Sequence, residues 1–318
     1  MPILETSGFR IDYSDAGAGT PVVLVHSSVS GNRQWNSLVR ELEPHFRVLA
    51  PNLFGYGETT AWQQDGSQTL TDQANLVLSV VQQFPGPIRL VGHSFGGAVA
   101  LKAATMLGDR ISHLFLFEPN PFWLLAQNDR AQAYAEAMEL RDFLKRRGAE
   151  GDSAAVAERF VDYWVGDGAW ALTPEPRQLA YVKLLRPNYY EWDCMKSDEI
   201  AIENVAQIPA EAMLVYSAGA RRPIREIATL IEKSCPKWSI ATVAEGGHMA
   251  MLTHPHLINP LVAAFLGVPG LDTSRSRRGG AAPRHRIAAL VKSPPAKGEL
   301  WTRLPRPVPL THRRIMPQ

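Results

Sequence analysis

The most chemically loaded stretch of this 318-residue chain is Gly92-His93-Ser94-Phe95-Gly96-Gly97. It lies between an apolar run ending at Val91 and an amphipathic run starting near Ala98. A serine with glycine two residues to either side, at a strand-to-helix junction, marks a sharp turn that only small neighbours permit. Such a turn strains Ser94 and lifts its hydroxyl to the tip of a sheet. The helix behind it offers unpaired N–H groups and a positive dipole end to developing negative charge. A Gly-rich turn around an ordinary buried serine is the bland alternative, and the strand-helix context weighs against it. A serine hydroxyl is a weak nucleophile until a base takes its proton. His248, in Ala244-Glu-Gly-Gly-His248-Met249, follows the last strand-like run and is the candidate base. His254 and His256 suit a surface or hydrogen-bonded loop better, while His26 and His93 suit loop shaping rather than titration.

These residues need a scaffold, and the pattern of apolar runs supplies one. Pro21-Val-Val-Leu-Val-His26 is short, β-branched and bounded by turn residues, which reads as a strand buried on both faces. Similar runs recur at 46–50, 88–92, 114–117, 212–216 and 238–243, separated by amphipathic stretches such as 70–84 and 98–107. Strands alternating with helices predict an α/β fold with a doubly wound, mostly parallel sheet. Phe9-Arg-Ile-Asp-Tyr13 alternates instead and is expected as an antiparallel edge strand. Between 121 and 205 the strands vanish and helical segments rich in Ala, Leu, Tyr and Trp follow, including 131–147 and 154–164. The expectation is a body made of residues 1–120 and 206–269, with a helical cap at 121–205 over the carboxyl edge of the sheet, where open α/β folds bind ligands. Of the cap aromatics, most are expected to be packing residues. Trp123 and Trp164, with Met249 of the histidine loop, are the candidate substrate contacts.

With these pieces in order, the chain resembles the serine hydrolases of the α/β-hydrolase fold. It is similar in particular to bacterial members with an H-S-S loop, a W-rich cap and a G-H-M loop near the end. The matching segments are His26-Ser27-Ser28 with Gln34-Trp35, Asn52-Leu-Phe-Gly-Tyr-Gly57, the Ser94 turn, Glu118-Pro119, and Gly247-His248-Met249 followed by Leu252-Thr253-His254-Pro255. The resemblance covers roughly residues 3 to 268. It implies one oxyanion donor at the Phe95 N–H and a second in the H-S-S loop, with Ser27 preferred and Ser28 the alternative. One departure concerns the acid. After Tyr216 the chain reads Ser217-Ala-Gly-Ala-Arg-Arg-Pro223, with no carboxylate until Glu226. Some family members, including a branch of haloalkane dehalogenases, carry the acid one strand earlier, which assigns Glu118 to orient His248. The competing role for Glu118 is a cap or an ion pair with Arg221 or Arg222.

The nucleophile type narrows the reaction. Dehalogenases and epoxide hydrolases of this fold use Asp where this chain has Ser94, so an acyl-enzyme is implied. Ester hydrolysis of a small or medium apolar substrate is the default, and carbon–carbon cleavage of a β-diketone is the closest rival. A non-catalytic ligand-binding protein of the same fold is the reading from a different class, given weight by the missing Asp. The dispersed histidines and two cysteines form no metal pattern, and the glycine spacing fits neither a Walker loop nor a dinucleotide fingerprint, so no cofactor is expected.

Composition agrees with a globular body: 45% hydrophobic, 20% charged, net +2. The total hides an asymmetry. Residues 271–318 carry 11 Lys and Arg against Asp272 and Glu299, a net +9, which leaves 22 basic against 29 acidic residues, −7, in the first 270. An acidic body argues against nucleic-acid binding. The basic tail also holds seven of the 24 prolines and is expected to be disordered. It fits a weak anchor to anionic surfaces, a polybasic arm, or an unselected extension of the reading frame, the last being favoured because no catalytic step needs it. No apolar run reaches the roughly 18 residues of a membrane span, and the first residues lack a signal-peptide pattern. The expectation is a cytoplasmic monomer or homodimer acting on a small molecule, with Cys194 and Cys235 reduced.

Overall fold

The computed structural model describes residues 2–62, 67–196, 198 and 200–271. Residues 272–318, almost all of the expected tail, lie outside the described residues. Eight strands form one sheet: β1 (Ile3–Glu5), β2 (Arg10–Ala16), β3 (Pro21–Val25), β4 (Arg47–Pro51), β5 (Ile88–His93), β6 (Ile111–Phe117), β7 (Glu211–Ser217) and β8 (Ser239–Val243). Their order is β1-β2-β4-β3-β5-β6-β7-β8. The first two pairings are antiparallel and the rest parallel. Phe9–Tyr13 thus seeds an antiparallel strand as expected, but β1 covers its outer side, so it is not the edge. Three residues of Ile-Leu-Glu are too short to register as a period in sequence.

The core explains why the central runs are apolar throughout. Along β3, Val22 and Leu24 join one buried cluster and Val23 and Val25 the other, so both faces are covered. Each such side chain contributes roughly 1.5–3 kcal/mol by leaving water. One face packs against α1 (Asn36–Leu42) and, near the end of the chain, α11 (Pro255–Phe265). The other packs against α2 (Leu70–Val81), α3 (Phe95–Leu107) and α9 (Arg222–Ser234). Helix α2 starts at a capping box, in which Thr69 Oγ1 accepts the Asp72 N–H and Asp72 accepts the Thr69 N–H.

Between β6 and β7 the chain forms α4 (Trp123–Gln127), α5 (Ala131–Ala149), α6 (Ser153–Val165), α7 (Glu175–Lys196) and α8 (Ile202–Ala206). Helix α7 carries Pro187 in its interior, and a Cβ placed on Gly55 would come within 2.9 Å of the proline ring. Gly55, at φ +81°, therefore lets the loop after β4 approach α7 closely. A short α10 (Ala250–Thr253) follows the histidine loop. Among the described residues, no helix is long and apolar enough to cross a membrane.

Parallel register brings the chemistry together. Val25 pairs with Gly92, His93 with Phe117, and Phe117 with Val215. The residues after β3, β5 and β6 therefore leave the sheet side by side at its carboxyl edge. Because β4 and β5 flank β3 on opposite sides, this is also the point where the winding reverses and a crevice opens.

Candidate active site

Ser94 is the residue between β5 and α3, at φ 55° and ψ −121°, a conformation that L residues rarely adopt. The glycines around it are sterically required. A Cβ on Gly92 would lie 2.6 Å from the Gly96 carbonyl oxygen, and one on Gly96 would collide with the backbone oxygens of Val25 and His26. Helix α3 begins at Phe95, immediately after the serine and three residues earlier than the sequence pattern suggested.

His248 stands in a short 3-10 turn, Gly247–Met249, after β8. Its Nε2 is 2.8 Å from Ser94 Oγ and its Nδ1 is 2.7 Å from Glu118 Oε2. With the carboxylate accepting from Nδ1–H, Nε2 is the free acceptor for the serine proton. The loop is held from below by His93, whose Nε2–H donates to the His248 carbonyl at 2.8 Å. Burial, then the neighbouring His248, push the His93 pKa well below its ordinary value, so that ring stays neutral.

Glu118 follows β6 at φ 43° and is fully buried. Its Oε1 accepts both the N–H (2.8 Å) and the hydroxyl (2.5 Å) of Ser217, the last residue of β7. Burial alone would raise its pKa, but the His248 contact and the two Ser217 hydrogen bonds together hold it below the ordinary carboxylate value. The alternative partners are engaged elsewhere. Arg221 bonds the Tyr163 carbonyl and Asp167, Arg222 faces Glu136, and Glu226 pairs with Arg130 at 3.3 Å.

The H-S-S loop requires a correction. The Ser27 N–H, preferred on sequence as the second oxyanion donor, donates to Gln34 Oε1 at 3.1 Å, as does its hydroxyl at 2.8 Å. It is therefore occupied. The N–H groups of Ser28 and Phe95 make no hydrogen bond to another described residue, and Ser28 lines the pocket beside Ser94. His26 shapes this loop: Nε2 accepts the Leu53 N–H at 3.0 Å, which leaves Nδ1–H to donate to the Ser27 carbonyl at 2.7 Å. Burial drops its pKa to about 4, consistent with a structural role.

A narrow pocket opens above Ser94 and His248, walled by Phe160, Trp164, Tyr181, Trp192, Met195 and Met249. Trp164 and Met249, picked from sequence, are among its walls. Trp164 stacks on the His248 ring with centroids 4.1 Å apart and planes 27° apart. Trp123 is corrected. It is buried away from the pocket and its Nε1–H donates to the Ile200 carbonyl at 2.9 Å, a packing role set by its place at the start of α4. Sequence reasoning missed Asn120, two residues past Glu118, whose Oδ1 is buried at the pocket without a partner among the described residues. It also missed Asn188 and Glu191 on α7, which show no distinguishing sequence pattern. Among the described residues, no group of three His, Cys, Asp or Glu is arranged to hold a metal ion, and both cysteines are buried and unbridged.

The chain and its fold are similar to known proteins. The chain is 29% identical to 2-hydroxy-6-oxo-2,4-heptadienoate hydrolase of Pseudomonas putida over 189 residues, which span 58% of this chain and 62% of that protein. It is 24% identical to the pimeloyl-[acyl-carrier protein] methyl ester esterase of Pectobacterium carotovorum over 266 residues, 80% of this chain and 97% of that one. Its fold superposes with a TM-score of 0.72 on an alpha/beta hydrolase enzyme from a Medee basin deep-sea metagenome library, at 15% identity, covering 85% of this chain and 99% of the other. The model of the alpha/beta hydrolase family matches residues 22–261, the whole span from β3 into α11, and the chain belongs to that family.

Proposed function

We propose that the chain is a cofactor-independent serine hydrolase that cleaves carboxylic esters of small or medium apolar substrates. The observation that carries this reading is one imidazole held between a strained serine hydroxyl at 2.8 Å and a buried carboxylate at 2.7 Å. Ser94 Oγ attacks the carbonyl carbon as His248 Nε2 takes its proton, and Glu118 Oε2 stabilises the imidazolium and keeps the ring oriented. The tetrahedral oxygen is received by the N–H groups of Ser28 and Phe95, the latter at the positive end of α3. His248 then returns the proton to the leaving alcohol, which departs as the carbonyl reforms on Ser94. A water deprotonated by His248 attacks this acyl-enzyme, the acid leaves, and Ser94 recovers its proton.

Helices α4 to α8 serve as the cap in this reading, with Trp164 shielding the imidazole and the aromatic walls selecting apolar acyl or alkyl groups. A second reading is carbon–carbon hydrolysis of a β-diketone-type substrate on the same residues, favoured by the similarity to the Pseudomonas putida hydrolase. A binding protein without catalysis is disfavoured because Glu118 sits where the missing Asp would otherwise be needed. The test is a fluorophosphonate probe on the wild type and Ser94→Ala, with p-nitrophenyl esters of increasing chain length beside a β-diketone. Labelling lost in Ser94→Ala and turnover of short esters are expected. A folded wild type that neither labels nor turns over any of these substrates overturns the reading.

A further inference from the structure

The geometry points to Glu191 of α7 as a positioning residue that sets the Ser28 N–H at the oxyanion site and does so in its neutral, protonated form. This rests on the serine-hydrolase reading above. Glu191 is fully buried, and its Oε2 accepts the Ser28 hydroxyl at 2.5 Å and the Asn188 side-chain N–H at 3.1 Å. Asn188 is fixed in turn by the Trp192 Nε1–H at 3.0 Å. The Tyr56 hydroxyl, which accepts the Val29 N–H at 2.8 Å, stands near enough to this carboxyl for the two to interact electrostatically. One carboxyl from the helical segment therefore grips the loop after β3 at Ser28, the residue whose amide faces the oxyanion site, while Tyr56 braces the next residue, Val29.

The surroundings decide the protonation state. Among the described residues no Lys, Arg or His nitrogen forms an ion pair with Glu191, and Oε1 has no hydrogen-bond partner. An ionised carboxylate there would be unpaired and half solvated by protein, the costlier state. The titratable groups that face it are Tyr56 from the loop after β4 and Cys194 from α7, with the His26 ring 4.8 Å from that of Tyr56. Both Tyr56 and Cys194 are held well above their ordinary values, by burial first and then by Glu191, so neither supplies a counter-charge. Burial pushes Glu191 itself up to about 7, against the hydrogen bonds that favour its charge. Above that pH a negative charge arises one side chain away from the amide that must receive a negative oxygen, and the two repel.

The test compares wild type, Glu191→Gln, Glu191→Ala and Ser28→Ala by kcat and KM from pH 5.5 to 9.5 on an ester the wild type turns over, with melting temperatures from pH 5 to 8. The wild type is expected to lose kcat through an alkaline limb centred near 7. Glu191→Ala and Ser28→Ala are expected to lower kcat about tenfold or more at pH 6 with KM within threefold, as weakening one oxyanion donor does. Glu191→Gln, a neutral isostere, should restore most of that kcat and remove the limb. Its melting temperature should gain on the wild type as pH rises, because the folded carboxyl binds its proton more tightly than the unfolded one. A Glu191→Gln profile that superimposes on the wild type, or a constant melting gap, overturns the proposal. Fluorophosphonate labelling run alongside separates the two failures: an unlabelled wild type takes down the hydrolase reading itself, and this role with it.

Discussion

Ser217 donates both its N–H and its hydroxyl to one oxygen of Glu118, which leaves the other oxygen to His248. The last residue of β7 thus supports a carboxylate that follows β6. Glu118→Gln is expected to lower kcat by about 10³- to 10⁴-fold with the fold intact, by disturbing the tautomer and removing the charge. Glu226→Gln should stay within about twofold, since that carboxylate pairs with Arg130 at the surface. Kinetics and circular dichroism on both variants decide the assignment; the reverse ranking would move the acid to Glu226.

The depressed Glu118 pKa also makes a stability prediction. An acid whose folded pKa lies below its unfolded value stabilises the protein above the unfolded pKa, and that contribution is lost as pH falls through the folded value. Wild type should therefore exceed Glu118→Gln in stability at pH 7, and the gap should close as pH drops through the carboxylate range. Urea unfolding at pH 7, 5 and 3.5 checks the sign.

Ser94 holds a positive φ for the sake of its hydroxyl. Ser94→Ala should cut kcat by about 10⁵- to 10⁶-fold. Ser94→Gly should be equally inactive, yet more stable than Ser94→Ala by about 1 kcal/mol, because glycine accepts that conformation without strain. Thermal melts of the two inactive variants measure the strain, and equal melting temperatures would show that there is none.

Ser27 and Ser28, adjacent in sequence, should respond oppositely. Ser27→Ala removes one hydrogen bond to Gln34 and should cost about 1 kcal/mol of stability with kcat changed less than threefold. A large loss of kcat in Ser27→Ala would return the oxyanion role to that residue.

Trp164 covers the imidazole. Trp164→Ala should open the pocket, raise KM for short p-nitrophenyl esters several-fold and shift the preferred acyl chain to longer lengths. An unchanged chain-length profile would mean that other walls set specificity. A chain ending at Gly270 should keep fold and activity, since it retains Leu266 and Val268, the last buried residues among the described ones.

Legibility in the sequence followed the range of the interactions involved. The two-faced apolar runs and the glycines around Ser94 are local requirements, and both were readable. So was His248, because it directly follows a strand that the pattern marks. Glu118 was reachable only through the resemblance, since nothing in Glu118-Pro119 says which strand's acid will meet the histidine. The short β1 and the proline-interrupted α7 carry too weak a period to bound.

What the amino-acid sequence by itself determined is the sheet, the strained serine and the histidine that follows β8, because steric exclusion and alternating burial act within a few residues. Only the tertiary structure shows that the Glu118 carboxylate meets His248 while Glu226 pairs with Arg130, that the Ser27 N–H is taken by Gln34, and that Trp164 but not Trp123 lines the pocket. Each of these turns on a hydrogen bond or stacking contact formed across the fold: Ser217 to Glu118, Gln34 to Ser27, Glu191 to Ser28 across 163 residues. Such contacts depend on which strand ends and helix faces converge at the crevice, and no local pattern of residue types encodes that convergence.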